Sequence, residues 1–144
     1  MIMKRIVTII AVVVAVVTSA TAGTAAAEPE LPPCQGNPQR SDVVLEFSEG
    51  EWAFLYRLIW CVEENQITWA VPDVVPVLPD SSDCSWTGTH EESLEAIPGG
   101  GSWLGFAMGR FSCPNGAEAP DDYPWGIIHV RPDGTSAIQA QGTA

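Results

Sequence analysis

The sequence predicts a small all-β domain: an antiparallel β-sandwich or barrel stapled by two disulfides and preceded by a cleavable signal peptide. Two observations predict this fold. Seven or so short segments rich in β-branched and aromatic residues alternate with turn signals such as Pro98–Gly101 and Arg131–Gly134. Four cysteines follow an export signal, which is typical of small domains that supplement a limited core with disulfides.

The N-terminus has the organisation of a secretory signal peptide over residues 1–27. Two basic residues precede an apolar run over 6–17, and small residues continue to Ala27. The run is shorter than the ~20 residues that a permanent membrane-spanning helix needs. We therefore expect cleavage before Glu28, with a cut after Ala22 as the alternative, and a secreted, extracellular protein with no membrane partner after cleavage.

Without the signal peptide the chain is strongly acidic. Loss of Lys4 and Arg5 changes the formal net charge from −12 to −14 and removes the only lysine. This charge repels phosphate backbones, so nucleic acid and anionic membrane surfaces are excluded as partners. Positively charged partners, or simple solubility outside the cell, are compatible with it.

The 117 residues after the signal peptide are enough for one domain. Residues 28–40 are rich in proline and are expected to form an extended N-terminal segment. A single β-rich domain is expected at 41–144.

The even number of cysteines in an exported chain predicts two disulfides. The cysteines are Cys34, Cys61, Cys84 and Cys113. Their spacings of 27, 23 and 29 residues fit no zinc pattern, in which paired ligands lie about two to four residues apart. Of the three connectivities, the sequential one, Cys34 with Cys61 and Cys84 with Cys113, requires the least chain crossing and is preferred.

The stretch Trp52–Val62 is the expected central strand. It is mostly apolar on both alternating faces, so a strand here would have to be covered on both sides. Ser48 and Glu51 also fit a capping box, which leaves a helix over 49–64 as the alternative. The dense aromatic and β-branched content favours the strand. Arg57, its one charge, is expected to extend toward solvent or to pair with a carboxylate.

The other strands are expected in the apolar segments between turns. A four-residue hairpin loop is predicted at 63–66, and prolines confine the segment over 74–78 to an edge strand or extended chain. The expected strands are 41–47, 67–71, 74–78, 85–90, 91–97 (a strand or a short helical turn), 103–113, 125–131 and 135–139. Alternate small residues in 103–113 leave one face bare, so that an aromatic ring or another strand can approach closely.

The six tryptophans admit two interpretations. They fill a small core, each burying about 200 Å², or they form a platform on which sugar rings or aromatic ligands stack. Alternation points most of them inward and favours the core. Trp86, Trp103 and Trp125 are the possible ligand-binding residues.

No group of residues predicts a catalytic or metal site, and no cofactor is predicted. His90 and Glu91 begin like a zinc-protease motif that lacks its second histidine, and no pairing of His90 with His129 follows from the sequence. Asp80 and Asp83 lack the glycine and the bidentate glutamate of a calcium loop. Three carboxylate pairs are adjacent in sequence, so in strands their members point to opposite faces: Glu63/Glu64, Glu91/Glu92 and Asp121/Asp122.

We therefore expect a secreted, acidic, disulfide-bonded binding or interaction domain without catalytic activity. Its target would be an extracellular carbohydrate or protein. The first alternative is a small extracellular protease inhibitor, because the loop over 113–118 lies beside a cysteine. The second is a small hydrolase.

Overall fold

The computed structural model describes residues 28–114 and 120–144, so the predicted signal peptide lies outside the described residues. Within those ranges the chain is all-β, and it includes no helix with the length and apolar character needed to cross a membrane. The strands are β1 (Gln39–Arg40), β2 (Val44–Ser48), β3 (Trp52–Glu63), β4 (Gln66–Val77), β5 (Ser85–Ala96), β6 (Trp103–Ser112), β7 (Asp121–Asp122), β8 (Pro124–Val130) and β9 (Ser136–Thr143).

The strands form two antiparallel sheets. In sheet A, β3 pairs with β4 on one side and with the short β1 and β2 on the other. In sheet B the order is β5-β6-β8-β9, with β7 beside β8 along the same edge of β6. Short turns join β3 to β4, β5 to β6 and β8 to β9, at three of the predicted turn signals.

The central stretch is a strand, as predicted, and the helical alternative is wrong. β3 runs over Trp52–Glu63, and its inward residues Trp52, Phe54, Tyr56, Leu58 and Trp60 are almost completely buried. Period-two alternation therefore places two aromatic side chains, Phe54 and Tyr56, and Leu58 in the core between Trp52 at one end and Trp60 at the other.

The hairpin after β3 is tighter than predicted. Its loop contains two residues, Glu64 and Asn65, instead of four, and both have positive φ values of 49° and 60°. Two consecutive left-handed residues form the type I′ turn that matches the twist of the flanking strands. Asn65 tolerates this conformation well, whereas Glu64 adopts it at some energetic cost.

Three strands are clearly longer than predicted: β4, β5 and β9, the last of which ends at Thr143 instead of residue 139. β4 continues through Pro72 and Pro76 because it is an edge strand, hydrogen-bonded only to β3 within the described residues, so the missing N–H groups need not interrupt the ladder. β5 continues from Ser85 to Ala96 because bulges after Trp86 and Thr89 absorb two extra residues. The helical turn considered for 91–97 is therefore wrong.

The core contains buried side chains from both sheets, and three glycines allow them to approach. A Cβ at Gly109 would lie 2.5 Å from the Trp86 ring and 3.0 Å from Phe54. A Cβ at Gly105 would lie 2.6 Å from Leu58, and one at Gly126 would lie 2.7 Å from Val44. The bare face predicted for 103–113 is thus the inward face of β6, and it does receive an aromatic ring.

The predicted disulfide connectivity is confirmed. Cys34 is bonded to Cys61, and Cys84 is bonded to Cys113. The first bond holds the N-terminal segment against the outward side of β3, and the second joins the start of β5 to the end of β6. Two disulfides in a chain of this size are typical of extracellular domains.

Candidate functional site

The outer face of sheet A is covered at one end only. Ile59 and Cys61, which point outward from β3, are buried because the N-terminal segment is disulfide-bonded to Cys61. The Trp69 indole Nε1 donates a hydrogen bond to the Pro33 carbonyl oxygen at 3.0 Å and holds that segment in place. The two-sided cover expected for the central strand therefore exists only at this end. Beyond it, Leu55 remains partly exposed.

The uncovered part of this face is an apolar patch. Its residues lie on three adjacent strands, with Val43 directly before β2: Val43, Leu45, Phe47, Ala53, Leu55, Val75 and Val77. Register aligns them in rows, with Leu45 opposite Leu55 and Leu55 opposite Val75. Strands about 4.8 Å apart make each row of three about 10 Å wide.

The patch is unusually exposed for residues of this type. The exposed fractions of Phe47, Leu45, Val77 and Val43 are 65%, 48%, 45% and 41%. Single exposed apolar side chains are normal, but a contiguous group rimmed by polar residues marks an interaction surface. The patch has that character.

Two shallow depressions mark the patch. One of about 370 Å³ lies at the Phe47 end, where Leu45, Val77 and Pro79 contribute to its walls. Another of about 170 Å³ lies between Val43, Leu55, Arg57, Asp73 and Val75. Both are open to solvent and apolar over most of their walls, so they suit inserted side chains of a partner better than a small polar ligand.

An ion pair lies between the patch and the covered end. Arg57 Nε donates to Asp73 Oδ2 at 2.7 Å, and the Asp73 side chain is only 4% exposed. The expectation that Arg57 pairs with a carboxylate is therefore confirmed. Glu28 Oε1 lies 4.0 Å from Arg57 Nη2 and 3.7 Å from Arg40 Nη1, so nearby carboxylates balance the positive charges of both arginines.

Carboxylates surround the patch. Asp42 and Glu49 are exposed next to β2, and Asp80 is exposed after β4. Glu49 also lines the larger depression. Since the arginines at the other end are paired, these exposed carboxylates give the surroundings of the patch an excess of negative charge.

The structure separates the three tryptophans singled out as possible ligand contacts. Trp86 and Trp103 pack against the core cluster. Trp86 lies against Gly109 and is tilted against Phe111, with 5.0 Å between ring centroids. Trp125 alternates with buried Pro124 and Gly126, and it points outward from sheet B. Only Trp125 therefore lies on an outer face.

Aromatic side chains surround Trp125 on the outer face of sheet B. Its indole lies against Gly142 of β9, where a Cβ would be 3.2 Å from the ring, and the Phe106 ring centroid is 6.4 Å away. Arg110 Cζ lies 6.0 Å from the centroid of the Tyr123 ring, and the His90 ring packs against Tyr123 in an edge-on arrangement with 4.9 Å between ring centroids. We call Phe106, Met108, Tyr123 and Trp125 the aromatic face.

Arg110 and Asp121 form an ion pair at the border of the aromatic face. Arg110 donates from Nε at 3.2 Å and from Nη2 at 2.6 Å to one carboxylate oxygen, Asp121 Oδ2. This hydrogen bond to Asp121, with the carboxylate charge, raises the pKa of Arg110. Asp122, its neighbour, points inward and accepts a hydrogen bond from Trp52 Nε1 at 2.9 Å. The adjacent carboxylates thus lie on opposite faces of the short strand β7.

The histidines are not brought together. His90 is the extra residue of a bulge opposite Met108–Gly109, whereas His129 pairs with Leu104. Four or five residues along β6 correspond to about 14–17 Å. The acid pair Glu91 and Glu92 is likewise divided between the two faces of β5, since Glu91 pairs with outward Met108 and Glu92 with inward Ala107.

Two buried polar atoms have no hydrogen-bond partner among the described residues, the Tyr56 hydroxyl and His129 Nε2. Burial, and then the charge of Glu92, raises the pKa of Tyr56, so its hydroxyl keeps its proton. Burial also raises the pKa of Glu92. Burial lowers the pKa of His129, and the positive charge of Arg131 lowers it further.

Two clusters of metal-ligand atoms occur in the described part of the chain. One contains Cys34, Cys61 and Glu63, and the other contains Glu51, Cys84 and Cys113. In both, the sulfurs belong to a disulfide, and a disulfide sulfur lacks the thiolate charge that binds a metal. The loop considered for protease inhibition lies mostly outside the described residues, which resume at Pro120.

Sequence reasoning did not identify the apolar patch. The alternation of Val43, Leu45 and Phe47 predicted one apolar side of a strand, but it did not say which side faces the core. The structure directs Val44 inward, with no exposure, and its apolar neighbours outward. A strand with apolar residues on both sides was the available signal.

No protein-family model matches this chain, and neither a curated protein sequence nor a solved structure shows significant similarity to it.

Proposed function

We propose that this chain is a secreted, non-catalytic binding domain that recognises an extracellular protein through the apolar patch on sheet A. The observation that carries the proposal is the exposure of Phe47 and Leu45 in a continuous apolar surface on a sheet. A flat apolar surface of this kind is typical of protein interfaces, whose centres are depleted in charge and enriched in aromatic residues.

The proposal includes the arrangement and location of the domain. The two sheets form a β-sandwich, with the buried side chains of β3 and β6 between them. The signal peptide and the two disulfides favour an extracellular location. Net negative charge argues against nucleic acid and anionic membranes as partners.

The partner's chemistry follows from charge. Exposed Asp42, Glu49 and Asp80 lie around the patch, and Arg57 and Arg40 are already paired. A second copy of this acidic chain would place like charges opposite one another, which is unfavourable. We infer a partner that presents apolar side chains flanked by lysine or arginine.

Synthetic peptides test this proposal directly. Two eight-residue peptides, one alternating leucine with lysine and one alternating leucine with glutamate, have the same apolar content and opposite charge. We expect the cationic peptide to bind in isothermal titration calorimetry and the anionic peptide not to bind. Phe47→Ser is expected to weaken binding at least tenfold, because a large apolar contact is lost.

A matched control separates the patch from general acidity. Leu94→Ser removes an apolar side chain that is 37% exposed on β5, in the other sheet. This variant is expected to bind the cationic peptide as the parent does. Equal loss in both variants, or no loss with Phe47→Ser, would contradict the proposal. So would a stable dimer in sedimentation velocity that Phe47→Ser dissociates.

The protease-inhibitor alternative is tested by measuring inhibition of secreted serine proteases before and after cleavage of the chain at Asn115. Tight inhibition that is lost on cleavage would favour it over the binding domain. The hydrolase alternative has less support, because the described histidines lie far apart on the sheet and two of the carboxylate pairs are divided between opposite faces.

A further inference from the structure

We propose that the aromatic face of sheet B is a second binding site, and that its ligand is a neutral carbohydrate stacked on Trp125. This site is separate from the apolar patch, which lies on the other sheet, and it does not depend on the function proposed there.

The position of Trp125 is the first observation. Its indole lies against the backbone of β9 at Gly142, where any side chain would be 3.2–3.3 Å from ring atoms Cζ2, Cε2 and Nε1. A ring supported in this way lies along the sheet surface and loses little freedom when a ligand binds. Trp125 nevertheless stays partly exposed. A fixed, partly exposed indole is suited to stack on the C–H side of a pyranose ring.

The ion pair of Arg110 and Asp121 is the second observation. Arg110 uses Nε and Nη2 to reach a single oxygen, Asp121 Oδ2, and within residues 28–114 and 120–144 no hydrogen bond engages Arg110 Nη1 or Asp121 Oδ1. The site therefore has a donor and an acceptor side by side. A sugar hydroxyl both donates and accepts, so a pair of neighbouring hydroxyls matches this arrangement.

The two parts are close enough to bind one ligand. Trp125 pairs with Met108, and Arg110 is the next residue on the same face of β6. Diagonal neighbours of this kind are about 7–8 Å apart, which is within the reach of a disaccharide. Tyr123 is opposite Arg110 in the register that β7 and β8 share along β6, with Arg110 above its ring and the His90 ring packed against it.

The charge of the region excludes acidic sugars. Glu91 is opposite Met108 and exposed, and Asp121 belongs to the site itself. Arg110 is the cation in contact with the aromatic face, and Asp121 already neutralises it. Sulfated or uronic-acid polymers would be repelled, whereas a neutral sugar has no charge to oppose.

The test is a titration of the folded chain, residues 28–144, with neutral hexasaccharides of cellulose, laminarin, xylan, mannan and chitin, and with heparin as the acidic probe. Calorimetry and tryptophan fluorescence report binding. We expect at least one neutral hexasaccharide to bind with millimolar affinity or better, and heparin not to bind. Trp125→Ala is expected to weaken binding at least tenfold, and Arg110→Gln at least threefold.

Two further variants keep the result interpretable. Gly142→Val retains Trp125 but displaces its ring, so it is expected to weaken binding as strongly as Trp125→Ala. Phe47→Ser alters only the apolar patch and is expected to leave sugar binding unchanged, which separates this proposal from the preceding one. Circular dichroism confirms that each variant is folded. The proposal fails if no neutral sugar binds at 5 mM, or if binding survives in folded Trp125→Ala.

Discussion

Arg57 Nε lies 2.7 Å from Asp73 Oδ2, and this pair is the boundary between the covered and the uncovered parts of sheet A. The two residues are register partners on β3 and β4. Asp73 is buried, whereas the Arg57 side chain is 30% exposed and also faces Glu28. The Arg57 charge, which the sequence places alone in an apolar strand, is thus paired with Asp73 on the neighbouring strand. This pairing offsets the cost of placing an arginine between Leu55 and Ile59.

Removing Arg57 is expected to destabilise the fold more than removing Asp73. Arg57→Ala leaves a carboxylate in a buried position, with an expected cost of about 2 kcal/mol, below the ~3–5 kcal/mol of a fully buried pair because water reaches Arg57. Asp73→Ala leaves an arginine that can extend into solvent, at a cost of about 1 kcal/mol. Urea unfolding followed by tryptophan fluorescence measures both.

The double variant Arg57→Leu with Asp73→Leu is the control for this prediction. Replacing both charges by apolar side chains is expected to be close to neutral, since no buried charge remains unpaired. If the double variant is less stable than Arg57→Ala, the ion pair stabilises the fold by more than it offsets the cost of burying the Asp73 charge.

The predicted close approach at Gly109 makes its replacement costly. A Cβ there would be 2.5 Å from a ring atom of Trp86 and 3.0 Å from a ring atom of Phe54. Both rings belong to the packed core. Gly109→Ala is therefore expected to destabilise the protein by about 2 kcal/mol, as overpacking typically does. Gly100→Ala is the matched control, because its nearest neighbour is Ser102 Oγ at 3.9 Å, and it is expected to change stability little. Thermal unfolding measures the stability of both variants. Equal melting temperatures for Gly109→Ala and Gly100→Ala would contradict the prediction.

The sequence predicted the elements that rest on periodicity and on cysteine chemistry. Alternation identified β3 and the bare side of β6, and chain order identified the disulfide partners. Element lengths were less predictable, because Pro72 and Pro76 interrupt a strand only when both of its edges are paired. That condition depends on the position of β4 in the sheet, which local sequence does not contain.

The candidate sites were less predictable for a related reason. Which side of β2 faces the core depends on how the two sheets meet, and alternation alone is symmetric between the sides. Local sequence therefore does not determine that Phe47 is exposed, although apolar residues on both sides of β2 make an exposed apolar side chain possible. Trp125 and Trp103 likewise have similar sequence surroundings, yet one points outward and the other packs against the core.

The two disulfides are expected to contribute similarly to stability. Their sequence separations are 27 and 29 residues, and loops of this length lower the entropy of the unfolded chain by an amount equivalent to about 3.5 kcal/mol each. Replacing both cysteines of either pair by alanine should reduce the free energy of unfolding by roughly that amount.

A local difference is still expected between the two pairs. Loss of Cys34–Cys61 removes the covalent link of the N-terminal segment to β3 and leaves it held by single hydrogen bonds, Trp69 Nε1 to the Pro33 carbonyl and Gln35 N–H to Glu63, and by the exposed Glu28 ion pairs. Limited proteolysis should cut near Pro33 in that variant while the rest of the chain stays protected. Cleavage at the same rate in the Cys84–Cys113 variant would contradict this assignment.

His129 is expected to make the fold less stable in mildly acidic solution. Burial, assisted by the charge of Arg131, lowers the pKa of His129 in the folded protein. The unfolded chain, with an ordinary histidine pKa of about 6.5, therefore binds a proton at higher pH than the folded chain. Above the pKa of the unfolded chain, His129 does not lower the free energy of unfolding. That free energy falls as the pH decreases through this pKa, and it stops falling below the pKa of the folded protein. His129→Gln should therefore reduce the loss of stability between pH 7 and pH 5. Denaturant unfolding at both pH values measures the difference, and identical pH dependence in parent and His129→Gln would refute the prediction.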